Sequence, residues 1–182
     1  KVPQGRIALL IEAAMAFGTG HHGTTKGCLI ALDRLDRAGF RGQNVADIGC
    51  GTAVLAMAAA AIWDRPVVAS DIDPTAVEVA RANARANGLV DKIDCVVAAG
   101  FDHPDLKARA PYDLIFANIL KGPLIALAPE MAGQLAPGGY AILSGILDTQ
   151  ADEVAAVYRR NGFHLAARDQ IAEWTTLVLR RA

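Results

Sequence analysis

Asp47-Ile48-Gly49-Cys50-Gly51-Thr52-Ala53 decides the architecture. The segment Asn44 to Ile48 that enters it reads as a strand, and Ala53 to Ile62 behind it, apolar on every side, reads as a buried helix. A glycine-rich turn between strand and helix is where an open α/β sheet receives a ligand, at the carboxyl ends of its strands. Glycine lets the ligand lie against backbone, beside the N–H groups that a helix start leaves unpaired. A second strand, Val67 to Ser70, ends at Asp71-Ile72-Asp73-Pro74, which puts Asp71 twenty residues beyond Gly51. A carboxylate there can accept both hydroxyls of a ribose. A turn or an acid alone would mean little, but in this order and spacing they point to a nucleoside cofactor.

Working outward, apolar runs alternate with helical patterns from Asn44 onward, the mark of a parallel sheet covered by helices. Asp73 is a natural N-cap with Pro74 at the first helical position, and the helix they open runs to Asn87, where Gly88 stops it. Strands follow at Ile93 to Ala98, Tyr112 to Asn118 and Tyr140 to Ser144. A helix spans Leu124 to Leu135, and Pro137-Gly138-Gly139 is the turn into the last of these strands. After a helix from Gln150 to Asn161, Phe163 to Arg168 and Trp174 to Leu179 read as an antiparallel hairpin at one edge. In front stand a short helix, Ile7 to Ala16, a glycine-rich loop and a helix from Thr25 to Ala38. No repeat or linker marks a second domain.

The 182 residues are 53% apolar and 20% charged, enough for one sizeable core. Eighteen basic against nineteen acidic side chains leave a net charge of -1, so the broad positive field of a nucleic-acid-coating protein is missing and direct nucleic-acid binding is not expected. The longest apolar run, Ala53 to Trp63, has eleven residues, against the ~20 needed to span a bilayer, so no membrane association is expected. Lys1, Arg6 and the apolar stretch Ile7 to Phe17 imitate a secretory signal, but Glu12 sits in its middle. Together with the start at Lys1, this leads us to expect an internal segment of a longer or trimmed protein. Cys28, Cys50 and Cys95 are odd in number and form no CxxC, which suggests neither a disulfide framework nor a zinc site and favours a reducing cytoplasm.

A dinucleotide fold usually wants a third glycine where this chain has Val54, so NAD fits less well than a ligand without a pyrophosphate. S-adenosylmethionine has a ribose for Asp71, an adenine that Ile72 could cover, and a carboxylate suited to a helix start. In Phe17-Gly18-Thr19-Gly20-His21-His22-Gly23-Thr24-Thr25, Thr24 or Thr25 can cap the following helix while holding an anion. Adjacent His21 and His22 diverge and lack a third ligand nearby, so they read as polar loop histidines and no metal is expected. Asn118 ends its strand at the same rim. It either caps the turn into the next helix or accepts a hydrogen bond from an amine, and the residues alone leave the two level.

These stretches, together with Ala117-Asn118-Ile119-Leu120, Pro123-Leu124, Ser144-Gly145-Ile146-Leu147 and Glu173-Trp174, resemble the ribosomal protein L11 methyltransferase family over essentially the whole chain. The Gly-Thr-Gly-His-His loop with its threonine pair is the most specific of them. The resemblance implies a doubly wound, Rossmann-like class I methyltransferase sheet of seven strands with the last antiparallel. It also implies S-adenosylmethionine as methyl donor and N-methylation of lysine side chains and the terminal amine of a large-subunit ribosomal protein, the expected partner. It puts the cofactor on Thr25, Gly49, Asp71 and Asn118; Gly51 joins them from the turn itself, and no catalytic residue is assigned.

Two departures stand out. Ala98-Ala99-Gly100-Phe101 lacks the polar side chain that many class I enzymes use to hold the adenine amino group. The family also carries a small N-terminal substrate-recognition domain, and nothing precedes Lys1, so residues 1–182 are expected to be the catalytic domain alone. Two rival readings remain. A same-fold enzyme acting on a nucleic-acid base or a glutamine amide would commonly carry Asn-Pro-Pro-aromatic where this chain has Asn118-Ile119-Leu120. A nucleotide-binding module without chemistry is the other.

Overall fold

The computed structural model describes residues 5–12 and 23–182. Along the chain run α1 (Gly23–Arg37), β1 (Val45–Ile48), α2 (Val54–Trp63), β2 (Val67–Asp71), α3 (Pro74–Ala86), β3 (Ile93–Val97) and α4 (Pro104–Arg109). Then come β4 (Tyr112–Asn118), α5 (Lys121–Gln134), β5 (Leu135–Leu147), α6 (Asp148–Arg160), β6 (Phe163–Ile171) and β7 (Trp174–Arg181). The strands form one sheet of seven in the order β3-β2-β1-β4-β5-β7-β6. The pairs from β3 through β5 are parallel, and β7 runs antiparallel to both β5 and β6. The chain reverses its direction of winding at β1, with β2 on one side and β4 on the other, which is where a doubly wound sheet opens a crevice.

All four residues of β1 are buried, as they must be in a central strand covered on both faces. One face carries Cys28 and Leu32 of α1, Leu55 and Met57 of α2, and Val77 and Ala80 of α3 against Val45, Val67, Leu114 and Phe116. The other carries Leu106 of α4, Leu124 and Met131 of α5, and Val154 and Tyr158 of α6 against Ala46, Val68, Ile115 and Leu143. Each fully buried Leu, Val or Phe contributes roughly 1.5–3 kcal/mol. Two buried tyrosines keep their hydroxyls satisfied, Tyr158 by donating to the Leu124 carbonyl at 2.8 Å and Tyr112 to that of Leu106 at 2.7 Å. No helix among the described residues is long and apolar enough to cross a membrane.

The structure bears out the hairpin at the sheet edge, with β7 inserted between β5 and β6. It also bears out the start of α3, where the Asp73 side chain accepts from the Thr75 N–H at 2.8 Å and Pro74 holds the first turn. The expected helix from Ile7 to Ala16 fails where it can be seen. Residues 7–12 are irregular, and asparagines in α3 and at its C-cap bind their backbone: Asn87 pairs both ways with Leu10 at 2.8 Å, and Asn83 accepts from the Glu12 N–H at 2.9 Å. Side-chain amides here supply hydrogen bonds that a helix would have made internally. The remainder of that helix and the loop through His22 lie outside the described residues. The short helix α4, opened by His103 and Pro104, was not expected. Pro137-Gly138-Gly139 falls within β5, where the pairing with β4 shifts from Tyr112↔Leu135 to Leu114↔Tyr140.

The β5 strand also constrains the crevice. Gly145 has φ +84°, and a Cβ there would meet the Ile119 carbonyl oxygen, with the Ile119 C and N atoms at 2.8 and 2.9 Å. The Ile119 N–H in turn donates to Ser144 O at 3.2 Å. Gly145 therefore lets the chain after β4 bend across β5. Gly145→Ala should lower the unfolding free energy by about 2 kcal/mol or more, from positive-φ strain plus the clash. Gly122→Ala, where nothing lies within 4 Å, should leave it unchanged or raise it by up to about 1 kcal/mol. Urea unfolding of the two variants checks this; equal effects would show that Gly145 is not constrained.

Candidate functional site

At the crevice, the glycine turn folds back on β2. The N–H groups of Gly49 and Cys50 both donate to the Ser70 carbonyl at 2.8 Å, and that of Gly51 donates to Asp71 Oδ2 at 2.9 Å. Asp71 Oδ1 accepts from the Asp73 N–H at 3.0 Å. Each oxygen of an ionised carboxylate has two acceptor positions, so Asp71 is fixed in place yet keeps acceptor capacity toward the crevice, where it is half-buried. All three of the turn's own amides are therefore spent on β2. Gly49, at φ +72°, also makes room for the Ile119 side chain, which would strike a Cβ there.

The helix behind the turn lacks a local cap. Its N-cap position is Ala53, in the left-handed region at φ 61°, with no side-chain bond. Asp47 supplies one from the end of β1, its Oδ2 accepting from the Ala56 N–H at 3.0 Å. Asp47 is 1% exposed. Burial pushes its carboxyl up to about 7, the Ala56 N–H opposes the rise, and the neighbouring Asp71 charge adds to it. Cys50, beside it, is raised well above the usual thiol range by burial and then by the Asp47 and Asp71 charges, so it is no nucleophile.

Opposite stands α1. Within the described residues α1 already includes Gly23 and Thr24, so Thr25 lies inside the helix and is not its cap, and it is fully buried. The Asn118 Nδ2 group donates to Thr25 Oγ1 at 3.4 Å. Asn118 does not cap the next helix either, since α5 begins at Lys121 with Leu120 as its N-cap. Its Oδ1 is buried and accepts nothing from the described residues. An orphaned amide oxygen is costly to bury, and Asn118 is one of the residues that line the cavity beside it.

All five residues named from the sequence, Thr25, Gly49, Gly51, Asp71 and Asn118, line this one cavity of about 90 Å³, and Asp47 lines it with them. Gly49 and Asp71 also line an adjoining groove of about 600 Å³, walled by Ile72, Ala98, Ala99, Gly100, Leu120, Leu127 and Glu130. Ile72 and Leu120, both 73% exposed, are apolar side chains held in water at the mouth of this groove, a sign of a surface that something covers. A larger cleft of about 810 Å³ runs along β3, the outer edge of the sheet, lined by Arg81, Arg85, Asp94 and Arg109. It holds none of these site residues, and its Arg81 and Arg109 are already paired with Glu78 and Asp94. His21 and His22 lie outside the described residues. Sequence reasoning missed the capping role of Asp47 and the place of Glu130. The apolar turn residue Ala53, where a capping side chain would normally stand, was the available signal for the first.

A seven-stranded sheet in this order, with a glycine turn after β1 and an acid after β2, defines the class I methyltransferase fold. A solved precorrin-6y C5,15-methyltransferase from Geobacter metallireducens GS-15 shares that fold, with a TM-score of 0.74 over 94% of both chains at 14% identity. Comparison by sequence is more specific. The family described as Ribosomal protein L11 methyltransferase (PrmA) matches residues 1–182. The ribosomal protein L11 methyltransferase of Mesorhizobium japonicum is 49% identical over 176 residues, 97% of this chain and 60% of the relative. A ribosomal protein L11 methylase from Lactobacillus delbrueckii subsp. bulgaricus, whose crystal structure is known, superposes with a TM-score of 0.77 at 28% identity, covering 88% of this chain and 81% of that one. The chain therefore belongs to the ribosomal protein L11 methyltransferase family, and it spans about three fifths of the length of the curated relatives it matches.

The Asp47 carboxyl yields a pH test. Between its ordinary value of 3.8 and its raised value of about 7, the unfolded chain releases a proton that the folded chain keeps. This contribution therefore lowers stability as pH rises through that window and is constant above it. Asp47→Asn removes the dependence while keeping an acceptor for Ala56. The variant should gain on the wild type by a few kcal/mol between about pH 4 and about pH 8. Urea unfolding at both pH values measures the gain; an equal difference at the two would mean that Asp47 titrates as an ordinary carboxyl.

Proposed function

We propose that residues 1–182 are the catalytic domain of an S-adenosylmethionine-dependent protein N-methyltransferase. Its targets are lysine side chains and the terminal amine of ribosomal protein L11, and it works in the cytoplasm. The observation that carries this reading is the meeting of Thr25, Gly49, Gly51, Asp71 and Asn118 around one cavity, with an acceptor left over at Asn118 Oδ1.

The donor set suits the cofactor at three points. Asp71 keeps acceptor positions for the two ribose hydroxyls. The unpartnered Asn118 Oδ1 and the Asp47 carboxyl suit an ammonium group, and Thr25 in the first turn of α1 suits the neighbouring carboxylate, since the free amides of a helix start favour an anion. Ile72 and Leu120 offer apolar cover for the adenine. S-adenosylmethionine would supply a methyl group already activated by its sulfonium, so no metal or covalent enzyme intermediate is required.

The protein's own work is positioning and control of ionisation. At pH 7 a free lysine is neutral only about one time in 2,500. A site that accepts it must favour the neutral amine, which an apolar rim of Ile119, Leu120 and Pro123 promotes by withholding water. The chain's near-neutral charge gives no broad field to draw in a basic ribosomal protein. Recognition of that partner is accordingly assigned to the part of the family's length that this chain does not cover.

Calorimetric titration tests the reading. Thr25→Ala should weaken S-adenosylmethionine about tenfold while sparing adenosine, which lacks the amino-acid end. Asp71→Asn should weaken both by a similar factor, having lost the charge behind the ribose contacts. Equal losses for the two ligands in Thr25→Ala would mean that Thr25 only supports the fold.

A further inference from the structure

The groove beyond Asp71 is apolar along most of its wall, and the segment after β3 that faces it, Ala98-Ala99-Gly100, offers no polar side chain. Of the residues lining this groove, only Asp71 and Glu130 carry polar side chains. Asp71 is committed to the end where its carboxylate holds the glycine turn. Glu130 comes from α5, whose Pro123, Ala126, Leu127 and Glu130 fall three, one and three residues apart and so form one face of the helix toward the groove. A Cβ placed on Gly100 would lie 3.6 Å from Glu130 Oε2 and 3.0 Å from Leu127 Cδ1. The carboxylate thus stands over Gly100, within van der Waals reach of where a side chain there would begin.

Glu130 has no hydrogen bond or ion pair among the described residues. The cation that feels its charge, Lys107, has its Nζ held by Asp102 at 2.7 Å. A free carboxylate is an acceptor only. Beside it, the Ala99 and Gly100 amides make no backbone hydrogen bond among the described residues, so donors stand next to the acceptor. An acceptor flanked by donors is the complement of a 6-aminopurine edge, which presents an amino donor beside a ring-nitrogen acceptor.

We propose that Glu130 is a specificity-determining residue that accepts the exocyclic amino group of the cofactor's adenine, so that a helix after β4 replaces the missing polar side chain after β3. A 6-oxopurine turns an acceptor toward the same carboxylate and is rejected. This rests on the reading of the groove as the S-adenosylmethionine site.

The test is calorimetric titration of wild type and Glu130→Ala with S-adenosylhomocysteine and with its 6-oxo counterpart, S-inosylhomocysteine. Glu130 is exposed on its helix, and alanine is a good helix former, so the variant should keep its fold. Wild type should prefer the adenosyl ligand by about tenfold to hundredfold, as sites built around a hydrogen-bonded group do. In Glu130→Ala the two ligands should bind within about threefold of each other, through weaker binding of the adenosyl ligand and stronger binding of the inosyl one. A wild-type preference retained in Glu130→Ala, or no preference in wild type, overturns the role of Glu130 and leaves the cofactor reading standing. Failure of wild type to bind S-adenosylhomocysteine overturns both.

Discussion

Three successive amides, those of Gly49, Cys50 and Gly51, turn toward β2 and are satisfied there, two by the Ser70 carbonyl and one by the Asp71 carboxylate. The rest of the site depends on that closure. It ties the end of the central strand to the end of its neighbour, so the acid after β2 is held within the turn instead of waving above it. It also spends the donors that a glycine-rich turn usually offers an anion. In the proposed function, the anion-binding role falls to Thr25 of α1, across the cavity, and the glycine turn supplies shape: Gly49 has no Cβ to strike the Ile119 side chain.

The closure has a second consequence. The chain leaves the turn through Ala53 in the left-handed region, a conformation that costs about 1–2 kcal/mol for a residue with a side chain. No local cap is then available to α2, and a carboxylate buried at the end of β1 serves instead. Burying Asp47 among apolar neighbours raises its pKa, and it adds an acceptor to a cavity already lined by Asp71 and by Asn118, whose Oδ1 is buried without a partner among the described residues. Uneven polarity of this kind, with acceptors clustered and the Asn118 oxygen unanswered among the described residues, is what a cationic ligand group would balance. Four segments remote in sequence, around residues 25, 49, 71 and 118, contribute to it, and the strand order brings them together.

The sheet was legible in the sequence because its signals are local. Apolar runs of strand length, Asp73-Pro74 as a helix start and Gly88 as a stop each act through backbone preferences that need no distant partner. That Thr25, Gly49, Gly51, Asp71 and Asn118 would meet around one cavity was legible for a related reason: four of them sit at or just after strand ends, where turns and acids stand out, and Thr25 sits beside a glycine-rich loop. What escaped depended on contacts between distant segments. Residues 7–12 have apolar spacing suited to a helix but are drawn out by Asn83 of α3 and Asn87 at its C-cap. Thr25 and Asn118 each suited a cap, yet the structure turns them toward each other. The burial of Asp47 and the reach of Glu130 over Gly100 follow from packing, which no periodicity records. The short helix α4 did carry a local mark, Pro104 at its first position, but six residues are too few for periodicity to show.

The central claim is that the closed turn, the fixed Asp71 and the acceptor-rich cavity form a site for S-adenosylmethionine and not for a dinucleotide. Calorimetric titration of the wild-type protein with S-adenosylmethionine and, separately, with NAD tests it most directly. The account predicts saturable one-to-one binding of S-adenosylmethionine and no detectable binding of NAD. Binding of NAD with no binding of S-adenosylmethionine would contradict it.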